Sequence, residues 1–278
     1  MFFNEQIKIS RILNNYCKNN RYADEKFINF IVEIILKLRR NKGYVNNLTF
    51  GDGMENGNVA FYNYMSKELS FVLPEQNMDV IDYNLMVLHF ILHECEHITH
   101  HKLCNNNDKS LRGYLLRESM ADTLFCVETE RLNFTKLTPE QMLNITVKME
   151  YFEKRRSIYP KIYEFLPAER MAEIDSFERI LNILEYCKFD KDKSQSFIYA
   201  RGLNIIKLLG YSKKDNEIMC PTYSLYYELD KISPNQELLN KIIANLEKCS
   251  NNLDLDDRLY YGLPITDKEH EYVLKKII

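Results

Sequence analysis

The chain has 278 residues, 45% of them hydrophobic and 12% aromatic, which is enough to bury one large core or two smaller ones and excludes a disordered segment. A net charge of −3 leaves no broad basic footprint, so nucleic acid is not an expected partner. The seven cysteines are scattered without a CxxC pair, and neither "MFFNEQIKIS" nor the apolar runs "FINFIVEIILKL" and "YNLMVLHFIL" make an export signal or a bilayer span, so the expectation is a cytoplasmic protein with no membrane partner.

Apolar residues at three- and four-residue intervals predict amphipathic helices over about residues 5–20 and 24–41. Three short aromatic or β-branched stretches follow, "YVNNLTFG", "NVAFYN" and "ELSFVLP", and the brief "YMSK" link predicts a hairpin of the second and third. A long, mostly buried helix is expected from Asp79 to about Leu103, with Asp79 or Asp82 as its cap, then a polar loop, then a helix over about 111–131. From about residue 135 the chain reads as helices punctuated by prolines. The expected class is α+β with an all-α C-terminal region, divided into domains 1–134 and 135–278.

Five of the six histidines lie between His89 and His101, and residues 93–97 read "HECEH". Residues four apart on a helix project from one face, so His93 and His97 can address a single metal ion, and Glu94 can act as a general base on water there. A metzincin continuation fails, because the glycine position holds His100 and the last histidine position holds Leu103. The segment "LLRESMADTLF" supplies Glu118 as a third ligand and, four residues on, Asp122 as a hydrogen-bond partner for a ligand imidazole.

"HECEH" followed after twenty residues by "ESMAD" resembles the gluzincin group of zincin metallopeptidases, and the helices, small sheet and hairpin upstream resemble its compact ImmA/IrrE-like branch over about residues 20–130. The resemblance implies a zincin-like sheet packed with the HExxH helix and the glutamate helix, zinc held by His93, His97 and Glu118, Glu94 as general base, and Asp122 as the partner of His93. It further implies hydrolysis of peptide bonds in a protein or peptide substrate inside the cell, laid along the "NVAFYN" strand. Tyr114 is the favoured donor to the oxyanion.

Simpler readings cover the neighbouring residues: His89 and Cys95 as core residues, and His100 and His101 as solvated residues at the helix end. Two other functions fit the same residues, a zinc-bearing regulatory or interaction protein without peptidase activity and a hydrolase of non-peptide amides. The substrate, the role of the C-terminal helices and the oligomeric state are not written in these motifs.

Overall fold

The computed structural model describes residues 2–51, 59–117, 166–214, 217–232 and 236–277, and the chain divides into two compact units, Met1–Asp108 with Ala172–Ile205, and Lys109–Met171 with Ile206–Ile278. The expected boundary at residues 134 and 135 lies outside the described residues. The fold class is α+β, as expected, with helix predominating.

The first unit contains α1 (Phe2–Lys18), α2 (Glu25–Leu38), β1 (Asn47–Phe50), β2 (Ala60–Asn63), β3 (Glu68–Phe71) and α3 (Val80–Asn105). It also takes in α4 (Pro167–Leu184) from Ala172 onward and α5 (Gln195–Leu209) as far as Ile205. Helix α2 starts where the Asp24 carboxylate accepts the Phe27 N–H at 2.9 Å, and its Phe27, Ile28, Ile31, Val32, Ile35 and Leu36 form one buried stripe. Of the two caps that the sequence offers, Asp79 is the one used: it caps α3 by accepting the Ile81 N–H at 2.8 Å. Inside the unit, the buried Asn84 of α3 accepts the Ala23 N–H at 2.6 Å and donates to the Arg21 carbonyl at 3.0 Å, tying α3 to the link between α1 and α2.

The expected hairpin is present, with β2 antiparallel to β3 in the register Ala60↔Phe71 to Asn63↔Glu68. Its turn is closed by the Asn63 side chain, which accepts the N–H groups of Met65 and Ser66 at 2.9 and 3.1 Å. β1 pairs with β3 in parallel, so the sheet order is β1-β3-β2 and β2 is an edge strand among the described residues. Helix α3 packs along β2, and Tyr62 of that strand is buried in the core with Leu69, Leu88 and Ile91.

In the second unit residues 111–117 are helical, and α6 (Pro221–Ile232), α7 (Gln236–Ser250), α8 (Leu255–Tyr261) and α9 (Asp267–Ile277) follow. The expectation of an all-α C-terminal region needs correction, because β4 (Ser212–Lys214) and β5 (Glu217–Met219) form an antiparallel ladder. Three-residue strands reading Ser-Lys-Lys and Glu-Ile-Met are too short for an alternation to stand out. Gly262 ends α8 at φ +67°, and a Cβ there would meet Arg170 Nη1 at 2.6 Å, so both backbone and packing require glycine. Arg170 is buried and donates to the Leu259 carbonyl at the same helix end, and burial pushes its guanidinium down to about 10.

No helix among the described residues is long and apolar enough to cross a membrane.

Candidate metal centre

At about 100° per residue, His89, His93, Glu94, Glu96, His97, His100 and His101 occupy one broad arc of α3, while Leu88, Ile91, Leu92, Cys95 and Ile98 occupy the rest. The apolar residues join the core, as expected for Cys95. The polar arc is mostly buried as well, so each of its groups needs a specific partner.

His93 and His97 are brought together as the four-residue spacing predicts, with their Nε2 atoms 3.1 Å apart and facing one another. Two nitrogens bound tetrahedrally to zinc at about 2.0 to 2.1 Å lie roughly 3.3 Å apart, so the pair has the bite of a metal chelate. Glu94, the predicted base, follows His93 on the helix and is 8% exposed. Glu118 and Asp122, the predicted third ligand and outer partner, lie outside the described residues. Tyr114 is described and is 41% exposed.

The far nitrogens of the two rings meet groups that the motif does not disclose. His93 Nδ1 lies 3.3 Å from Glu173 Oε2 of α4, and the same oxygen lies 3.0 Å from His89 Nε2. The other Glu173 oxygen accepts from Arg201 Nη1 of α5 at 3.4 Å. Burial works to raise the Glu173 carboxyl, but hydrogen bonds from His89 and His93 outweigh it and hold the group well below the ordinary carboxylate range. The Glu173 carboxylate is therefore an acceptor for a proton on His93 Nδ1, which turns the Nε2 edge of that ring toward His97. Burial lowers the His89 imidazole against the pull of Glu173; its Nε2 donates to the Glu173 carboxylate, and its Nδ1 lies 3.3 Å from Ser176 Oγ, whose hydroxyl donates to the Glu173 carbonyl at 2.9 Å.

Tyr64, in the turn after β2, places its hydroxyl 3.1 Å from His97 Nδ1. One helical turn on, the Tyr62 hydroxyl lies 2.8 Å from His101 Nδ1 and donates to the Tyr44 carbonyl at 2.6 Å. The reading of His100 and His101 as solvated is thus overturned, since both are buried. Helix α3 runs on to Asn105, so neither residue stands at its end and both stay on the enclosed arc. The core reading of His89 agrees with its burial, although its contact with Glu173 ties it to the site.

Within the first unit two further groups could hold an ion, His89 with His93 and Glu173, and Glu96 with His100 and Asp175, each with ligand atoms within 4.8 Å. In the first, His93 Nδ1 would have to give up the proton it donates to Glu173. In the second, Glu96 Oε1 already lies 2.7 Å from Arg39 Nη1 and 2.8 Å from Arg179 Nε, so a cation there would face two guanidinium groups. Glu173 and Tyr64 are beyond any spacing rule, because packing alone sets their distance from the helix. The only sequence signal for Glu173 is a pair of glutamates four apart in "ERMAE". Compared with known proteins, the chain matches no family model, no curated protein and no solved structure.

Proposed function

We propose that this chain is a zinc-dependent metallopeptidase acting on a protein substrate in the cytoplasm, with His93 and His97 as metal ligands and Glu94 as general base. The observation that carries the reading is the pair of facing Nε2 atoms at 3.1 Å, each ring steadied at its far nitrogen by a polar group from another element. When bound by two imidazoles and a carboxylate, zinc supplies Lewis acidity, which polarises a carbonyl and acidifies water. Glu94, next to His93 and not itself a ligand, takes the proton of the attacking water and passes it to the leaving amine. Glu173 keeps the His93 lone pair aimed at the ion. The edge of β2, which pairs with β3 alone among the described residues and lies beside α3, offers backbone groups on which an extended peptide can pair as a further strand.

The third ligand in this reading is a carboxylate, and the sequence offers two with an acidic residue four positions on. Glu118 precedes Asp122 by four residues in the sequence, and on α4 Glu169 precedes Glu173 by the same interval. Glu118 is the ligand this reading takes, and zinc binding by Glu118→Ala and Glu169→Ala decides between them. The variant that removes the ligand should lose most of its zinc under competition by a chelator, while the other should hold zinc as wild type does. Full retention in both, and in their combination, would falsify a three-ligand protein site.

A further inference from the structure

The carboxylate that meets His93 is itself held from two directions. Glu173 Oε2 takes both imidazole contacts, His89 Nε2 at 3.0 Å and His93 Nδ1 at 3.3 Å, while Oε1 accepts from Arg201 Nη1 at 3.4 Å. The last side-chain torsion of a glutamate is broad and two-fold, so a carboxylate with two equivalent oxygens can turn without much cost. A guanidinium on one oxygen makes the two inequivalent and fixes the carboxylate plane, and the other oxygen then stays where the rings need it.

Arg201 has supports of its own, independent of that carboxylate. On α5 it stands four residues after the buried Phe197, so the two project from one face a turn apart. The Arg201 guanidinium carbon lies 6.0 Å from the centre of the Phe197 ring and 5.8 Å from that of Phe90 on α3, within reach of a cation–π contact to each. The same two rings meet the His89 imidazole edge-on, each at 6.3 Å between centres. Phe90 and Phe197 thus hold histidine and guanidinium in one frame, and Glu173 bonds to both. The side chains of Arg201 and Glu173 are largely buried, where a carboxylate needs an opposite charge beside it.

We infer, on the metal-site reading above, that Arg201 is a positioning residue for the ligand His93 and acts through Glu173: the guanidinium fixes the carboxylate, and the carboxylate fixes the imidazole. The site then draws on three helices, with both histidines on α3, the partner of His93 on α4, and the group that orients this partner on α5. Helix α5, which has no residue in the motif, acquires a function at the metal.

The test is a mutant cycle on the full chain, with Arg201→Gln, Glu173→Gln and the two together. Arg201→Lys keeps the charge without the planar fork, and Ser196→Ala removes a different contact of α5 with α3, the bond from Ser196 Oγ to Asp82 Oδ2. Zinc affinity is measured by competition with a chromophoric chelator, and the visible spectrum of the cobalt-substituted protein reports ligand geometry. Arg201→Gln should weaken zinc about tenfold and alter the cobalt bands, with circular dichroism near wild type. Arg201→Lys should recover part of the affinity, Ser196→Ala should leave affinity and bands in place, and Arg201→Gln should cost nothing further once Glu173 is replaced. Wild-type affinity and bands in Arg201→Gln overturn the inference. So does a loss that adds in full to that of Glu173→Gln, or an equal loss in Ser196→Ala, since either makes the effect one of packing. Should Arg201→Gln not fold, Arg201→Lys is read alone, and wild-type affinity and bands in it overturn the inference. A wild type that binds neither ion overturns the metal reading itself, and this inference with it.

Discussion

Replacing Glu94 by glutamine should leave the fold and the zinc content unchanged and remove nearly all turnover. Glu94 is not a ligand in this account, so the amide costs no metal, yet it cannot accept the proton of the attacking water; loss of a positioned base typically costs about 10²- to 10⁴-fold. The contribution of the base is made in the transition state, so substrate binding should survive. The variant then becomes a trap: in pull-downs from the same cells it should hold intact proteins that wild type releases as fragments. Recovery of the same intact partners by both proteins, with any biological effect unchanged, would favour the zinc-bearing interaction protein over the peptidase.

Replacing Arg39 by alanine should produce the largest loss of stability in the first unit, about 3 to 5 kcal/mol. Its guanidinium reaches Glu5 through Nε at 3.0 Å and Nη2 at 2.7 Å, and Glu96 through Nη1 at 2.7 Å, in a group whose side chains are no more than 4% exposed. Burial works against the Arg39 charge, but Glu96 and Glu5 outweigh it and raise its pKa. Without Arg39 both carboxylates remain buried, and the nearby Arg179 is left to compensate the pair, 2.8 Å from Glu96 Oε1 and 3.5 Å from Glu5 Oε1. The exposed pair of Arg21 and Asp24 is the control, and Arg21→Ala should barely move the urea midpoint. Equal, small shifts for the two substitutions would show that the buried network is not what holds α1, α2 and α3 together.

The same residue explains part of the motif itself. In "HECEH" the first glutamate, Glu94, adjoins His93, while the second, Glu96, turns to the opposite side of the polar arc and joins the ion-pair network. Sequence periodicity reveals this split only in outline, because α3 is polar over too wide an arc for spacing to say which groups meet solvent, metal or arginine. The helix, its Asp79 cap, the β2–β3 hairpin and the facing His93 and His97 were legible, since each depends on residues at most a few positions apart. The parallel pairing of β1 with β3, the burial of His100 and His101, and the contacts of Glu173 and Tyr64 were not, since each is set by an element distant in the chain. The β4–β5 ladder escaped for the separate reason that its strands are too short to show a period.

Metal content tests the central claim most directly. Wild type and the double variant His93→Ala/His97→Ala are purified in parallel without added metal, and each is assayed for zinc by mass spectrometry against protein concentration. The account predicts about one zinc per wild-type chain and close to none in a folded double variant. Equal zinc in the two proteins, or a wild type that binds no zinc even when it is supplied in excess, would contradict it.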